Sequence, residues 1–177
     1  MRAEQTASTI DADALRVRVE DALATSEPVF GKFFLARFLD LDITYDDDRQ
    51  RTRVELPFAD FLCNPQGSLH GGVIATVMDI SMGHLCHRYL STAVTIETQL
   101  RFFRPVHGPA YCEGSLLRPG RRLVHLQSHL YDEQGRPAAH ATGTWHRLDA
   151  GSDEASGSAT SIPQHLTHDP GEDRARR

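Results

Sequence analysis

The run Asn64–Asp79, NPQGSLHGGVIATVMD, decides how this chain folds. A polar, glycine-rich loop ends at His70-Gly71-Gly72, and an apolar run begins there. The run continues to about Arg88 through Val73, Ile74, Ala75, Val77, Met78, Ile80, Met82 and Leu85. At 3.6 residues per turn, those positions leave a helix apolar nearly all round. Such a helix belongs in an interior rather than on a surface. It nevertheless carries a carboxylate, Asp79. An ionised carboxylate buried without partners costs several kcal/mol, so Asp79 must be paired, protonated or facing a cavity.

Outward from this helix the period changes. Upstream, LDLDITYDDDRQRTRVELP (39–57) reads as a hairpin, with Asp46-Asp47-Asp48 at the turn and Val54 and Leu56 on one face. Downstream come four strand-like runs, TAVTIETQLRFFRP, AYCEGSLLR, RLVHLQSHLY and PAAHATGTWHRL. Turns punctuate them at 106–109, at Pro119-Gly120 and at 132–135. They read as an antiparallel meander. One apolar helix among such strands predicts an α+β fold, a curved sheet wrapped around the helix. Residues 1–27 form an N-terminal helical extension, since Ala12, Leu15, Val19 and Leu23 have helical spacing behind Asp11 or Asp13 as cap. The main domain is 28–148, and its first segment carries an aromatic stripe (Phe30, Phe33, Phe34, Phe38) that reads as packing against the body. Residues 149–177 are polar with few apolar side chains and are expected to be a disordered tail.

Composition excludes several classes. With 177 residues and a net charge of -5, the chain has no general attraction for nucleic acid or acidic membranes. Cys63, Cys86 and Cys112 form no CxxC pair, which points to a reducing compartment. No apolar run reaches the ~20 residues of a membrane span, and the N-terminus has no signal-peptide core. The cytoplasm is the expected location. His84, Cys86 and His87 share one helical turn, and His125, His129 and His140 would meet across a hairpin. Neither set has standard ligand spacing, and no metal is expected.

The chemistry concentrates in the opening stretch. Asp79 suits a general base or a nucleophile; the alternatives are an interface salt bridge or a helix face more exposed than the apolar pattern suggests. The first N–H groups of a helix lack internal partners and carry partial positive charge. A glycine there admits close approach, as a carbonyl becoming an oxyanion needs, although Gly71 and Gly72 could equally serve packing alone. The Asn64 amide could bond a substrate carbonyl or a water, or simply close an Asx turn. Gly71 and Asp79 are eight residues apart, or ~12 Å along one helix. They cannot both reach one carbonyl carbon at about 3 Å. If both act, they come from two chains, which predicts a symmetric dimer with two sites at its interface.

Taken together, Asn64, the Gly67-x-x-His70-Gly71-Gly72 run and the acid at Asp79 resemble the signature of the hotdog-fold acyl-CoA thioesterases, in the phenylacetate-pathway-like (PaaI-type) branch. The likeness extends through TAVTIETQLRFFRP and GRRLVHLQSHLYDEQGRPAAHATGTW and covers roughly Phe30 to Leu148. It implies the hotdog fold, and homodimers that pair into dimers of dimers. By position, it makes Asp79 the catalytic carboxylate, as base or nucleophile, and Gly71 N–H the group that polarises the thioester carbonyl. His70 would support that end, and Asn64 would position carbonyl or water. Thr95 would orient the water, with Thr98 as the second choice. No cofactor is implied, since CoA is part of the substrate. Its phosphates need cations, for which Arg121, Arg122 and Arg104 are the candidates, with Arg118 and Arg88 near the same rim. Two other readings compete. A hotdog dehydratase or hydratase would want a His and an acid paired about Cα and Cβ. A non-catalytic acyl-CoA sensor has no need of an acid at Asp79.

Overall fold

The computed structural model describes residues 10–148. Helix α1, Ala12–Thr25, is capped by Asp11, whose carboxylate accepts from the N–H groups of Asp13 and Ala14. A short α2, Phe34–Phe38, leads into the hairpin of β1 (Asp42–Asp46) and β2 (Arg51–Leu56). The long helix α3 then runs Gly71–Tyr89, followed by β3 (Ala93–Phe102), β4 (Ala110–Pro119), β5 (Leu123–Asp132) and β6 (Pro137–Arg147). Among the described residues no helix is long and apolar enough to cross a membrane.

All six strands form one antiparallel sheet in the order β1-β2-β4-β5-β6-β3. The expected simple meander is therefore interrupted. Helix α3 carries the chain across the sheet before β3, which pairs with β6 at the far edge rather than with β4. Of the four downstream strands, only β4, β5 and β6 follow one another as neighbours.

The inner face of the sheet packs on α3. Strand β5 alternates strictly and β4 as far as Ser115, burying Cys112, Val124, Leu126 and Leu130 against Val77, Met78, Met82 and Leu85. Trp145 is buried in the same cluster. Small residues bring helix and sheet close. A Cβ on Gly114 would stand 2.5 Å from Thr52 Oγ1 and 3.1 Å from the Ser81 carbonyl oxygen, so any larger residue there would force a shift. Polar groups use that proximity: Thr52 Oγ1 donates to the Ser81 carbonyl at 2.8 Å, and the Ser81 and Ser128 hydroxyls lie 2.8 Å apart.

Two surfaces break the expected burial. The α3 face that carries Ala75, Thr76, Asp79 and Gly83 is only half-covered. Most of its residues are small, and they border a cavity instead of packing into the core. Edge strand β3 is also open, with Val94 48% and Ile96 57% exposed. An open edge leaves a row of unpaired backbone donors and acceptors.

Candidate active site

Asp79 sits mid-helix on the half-covered face of α3, and β3 passes beside it. Thr95 Oγ1 donates to Asp79 Oδ1 at 3.0 Å. A bulge in β3 makes this contact: the register with β6 shifts between Thr95, opposite Trp145, and Glu97, opposite Thr144. The extra residue re-aims its neighbours, as bulges beside functional sites do. Burial pushes the Asp79 carboxyl above its ordinary range, and the Thr95 hydroxyl pulls the other way. Both residues line a cavity of about 920 Å³. Thr98 lines it too, but its hydroxyl makes no hydrogen bond among the described residues. Thr95 is therefore the residue engaged with the carboxylate.

This arrangement has a pH consequence. If Asp79 serves as a base it must be ionised to accept a proton, and activity is then expected to fall as pH drops through its raised pKa. Thr95→Val keeps the side-chain shape but removes the donor that favours the carboxylate. The acidic limb of the kcat/KM profile is expected to move to higher pH. A limb that stays where it is would show that Thr95 does not act through Asp79.

The other half of the site lies at the start of α3. His70 is the N-cap, and its Nδ1 accepts from Gly72 N–H at 2.9 Å. The neutral ring therefore carries its proton on Nε2. Gly71 N–H, by contrast, has no partner among the described residues. The Phe102 ring lies over Gly71, 3.4 Å from where a Cβ would stand. His70 and Gly72 border a separate cavity of about 500 Å³, which Asp79 does not line. Within one chain, Asp79 and the start of α3 thus face different cavities, as the helix spacing requires.

Asn64 is placed differently from the other candidates. Its Oδ1 accepts from the N–H groups of Gln66 (2.9 Å) and Ser68 (3.3 Å), and its Nδ2 donates to Ser68 Oγ at 2.9 Å. The side chain is committed to an Asx turn that shapes the loop before His70. One amide hydrogen is left for any other partner.

The arginines do not share one rim within a chain. Arg122 accepts a backbone bond from Arg147, which pairs with Ala93 at the start of β3. Arg121 and Arg122 therefore stand near the Asp79 end. Arg104 follows Phe102 at the opposite end of β3, near Gly71. The ten-residue strand separates the two groups by about 30 Å. None of these three makes an ion pair among the described residues, whereas Arg88 is paired with Asp47 at 2.8 Å.

Pattern reading missed Trp145, which lines the Asp79 cavity together with Phe30 and Phe33. His84, weighed only for metal, is buried there, its Nδ1 2.7 Å from the Tyr45 hydroxyl. His87 lies outside, stacked on Phe30 with ring centroids 3.8 Å apart. On the outer face of the sheet His129 and His140 do stack, at 4.4 Å.

A curved antiparallel sheet around one long helix is the hotdog fold. A profile of the thioesterase superfamily matches residues 66–139. The Saccharolobus solfataricus protein named "Putative esterase SSO2140" is 31% identical over 135 residues, covering 73% of this chain and 95% of that one. The chain belongs to the thioesterase superfamily. The medium/long-chain acyl-CoA thioesterase YigI of Escherichia coli K12 is 30% identical over 97 residues, 45% of this chain and 63% of that protein. The BH2602 protein of Bacillus halodurans, solved with CoA, superposes with a TM-score of 0.70 at 25% identity, covering 81% of this chain and 98% of that one. The E. coli PaaI protein shares the fold, with a TM-score of 0.64 at 19% identity over 75% of this chain and 96% of that one.

Proposed function

We propose that the protein hydrolyses acyl- or aryl-CoA thioesters to the free acid and CoA, with Asp79 as general base. The observation that carries this reading is a half-buried carboxylate, held by Thr95, in the wall of a large apolar cavity. In the proposed step, Asp79 takes a proton from water as the water oxygen attacks the thioester carbonyl. Gly71 N–H of the other chain stabilises the oxyanion. The C–S bond then breaks, and the proton held by Asp79 passes to the departing thiolate. The raised pKa suits both halves of this transfer, because it brings the carboxyl nearer the operating pH.

The site is shared between two chains in this reading. The open β3 edge, with Val94 and Ile96 exposed, offers the surface for a homodimer. The shared site also reunites the arginines: Arg121 and Arg122 beside Asp79 of one chain, Arg104 beside Gly71 of the other. Together they would hold the CoA phosphates, for which arginine's forked donors are suited. A relative solved with CoA and another named as a medium/long-chain acyl-CoA thioesterase support CoA thioesters as the substrate class. The volume and apolar walls of the Asp79 cavity support an acyl group of medium length or an aryl ring.

The test is hydrolysis of an acyl- and aryl-CoA panel by the full chain, read as free thiol. Release of thiol matched one-for-one by free acid is the expected result. CoA binding without turnover of any thioester would replace this reading with that of a sensor.

A further inference from the structure

We propose that His84 determines acyl specificity: its Nε2 is the hydrogen-bonding end of the Asp79 cavity and selects acyl groups that carry a hydroxyl at their far end. This rests on the thioesterase reading and names its substrate class.

His84 is 2% exposed and borders the cavity. Its Nδ1 is engaged by the Tyr45 hydroxyl at 2.7 Å, while its Nε2 is buried with no partner among the described residues. Leaving a buried polar atom unpaired is costly, and such groups are rare. Burial, helped by His87, pushes the ring's pKa down to about 4, so the imidazole is neutral near pH 7. It can act there as a hydrogen-bonding group but not as a cation.

Part of the cover over this ring comes from one short segment. Phe30 meets it edge-on at 5.3 Å, Phe33 lies 6.5 Å away, and Gly31 sits beside Cε1. These residues belong to the turn segment that also walls the cavity. A ligand entering past Asp79 therefore reaches Nε2 by displacing aromatic side chains, not the sheet.

The chemistry selects a hydroxyl. The Tyr45 contact is compatible with either tautomer, leaving Nε2 as donor or as acceptor. A hydroxyl donates and accepts, so it satisfies both. A carboxylate would satisfy only one and would bring a charge into an apolar cavity. A methyl end would leave Nε2 unpaired. Asp79 and His84 are separated by ~7.5 Å along α3, a span that suits a chain of about six carbons.

The test compares hexanoyl-CoA with 6-hydroxyhexanoyl-CoA. The wild-type protein is expected to favour the hydroxylated ester by about tenfold or more in kcat/KM. Calorimetric binding to Asp79→Asn, which needs no turnover, is expected to show the same preference. His84→Phe should reduce the ratio to about one, and His84→Gln, which keeps a hydrogen-bonding group, should restore part of it. Should His84→Phe not fold, the wild-type ratio and His84→Gln still decide. A wild-type ratio near or below one in both measurements overturns the proposal, as does a ratio that survives His84→Phe. A binding preference without hydrolysis of either ester would keep His84 as the selector and sink the thioesterase reading. Hydrolysis of both esters without preference would do the reverse.

Discussion

Asp79→Ala is expected to lower kcat for acyl-CoA hydrolysis by about 10²–10⁴-fold, the usual worth of a positioned general base. The loss should fall on kcat more than on KM, because in the proposed step the carboxylate acts on water and not on the CoA moiety. Asp79→Asn sharpens the test. The amide has nearly the same shape, and its oxygen can still accept from Thr95 Oγ1, which lies 3.0 Å from Asp79 Oδ1. What it lacks is basicity. The same variant should not destabilise the fold. Burial raises the folded-state pKa of Asp79 above its unfolded value, so the ionised group weakens the fold at neutral pH. That penalty is present above the raised pKa and disappears as acidification protonates the carboxyl. Asp79→Asn is thus expected to melt at or above the wild-type temperature at neutral pH, with the difference shrinking as pH falls. An Asp79→Asn protein that hydrolyses acyl-CoA within about threefold of wild type would remove Asp79 from the chemistry.

The local features of this fold were legible because local chemistry sets them. Apolar residues at every turn of one long run predicted α3, which spans Gly71–Tyr89. The acidic turn predicted the hairpin, where the Asp46 carboxylate accepts from Arg49 N–H at 3.0 Å. Neighbour choice in the sheet was not legible. β3 and β4 are adjacent in sequence, yet β3 lies beside β6, because α3 delivers the chain to the far edge. The half-covered face of α3 was hidden for a different reason: Ala75 and Gly83 read alike whether they meet core or cavity. The acid at Asp79 was the signal that this face is special, and the bulge that turns Thr95 toward it has no pattern in a single strand. Asn64 and the arginines show the same limit. An amide in a loop does not reveal that its own turn has taken its lone pairs. Basic residues near turns do not reveal that β3 holds them about 30 Å apart.

A dimer carrying one Asp79→Ala chain and one Gly71→Pro chain is expected to regain about half of wild-type activity, although each variant alone is nearly inactive. Gly71→Pro removes the N–H group proposed to face the oxyanion, and losing one such donor costs roughly 10²–10³-fold in kcat. Proline is tolerated at this position. It is the first residue of α3, where proline's fixed φ suits the helix and no intrahelical bond is lost. His70 before it is already extended, with φ -63° and ψ 135°, as a residue preceding proline must be. The nearest neighbour, the Phe102 ring, lies at ordinary contact distance. In the mixed dimer, Gly71 of the first chain meets Asp79 of the second, and that site is intact; the other site lacks both groups. If each chain instead built its site from its own Gly71 and Asp79, every site in the mixed dimer would lack one group. Activity would then stay at the level of the single variants. The measurement is thiol release by a doubly tagged, doubly purified mixed dimer, set against both parent homodimers. Activity at the parental level would overturn the shared site. Recovery to about half would leave the ~12 Å between Gly71 and Asp79 as the reason that neither chain can act alone.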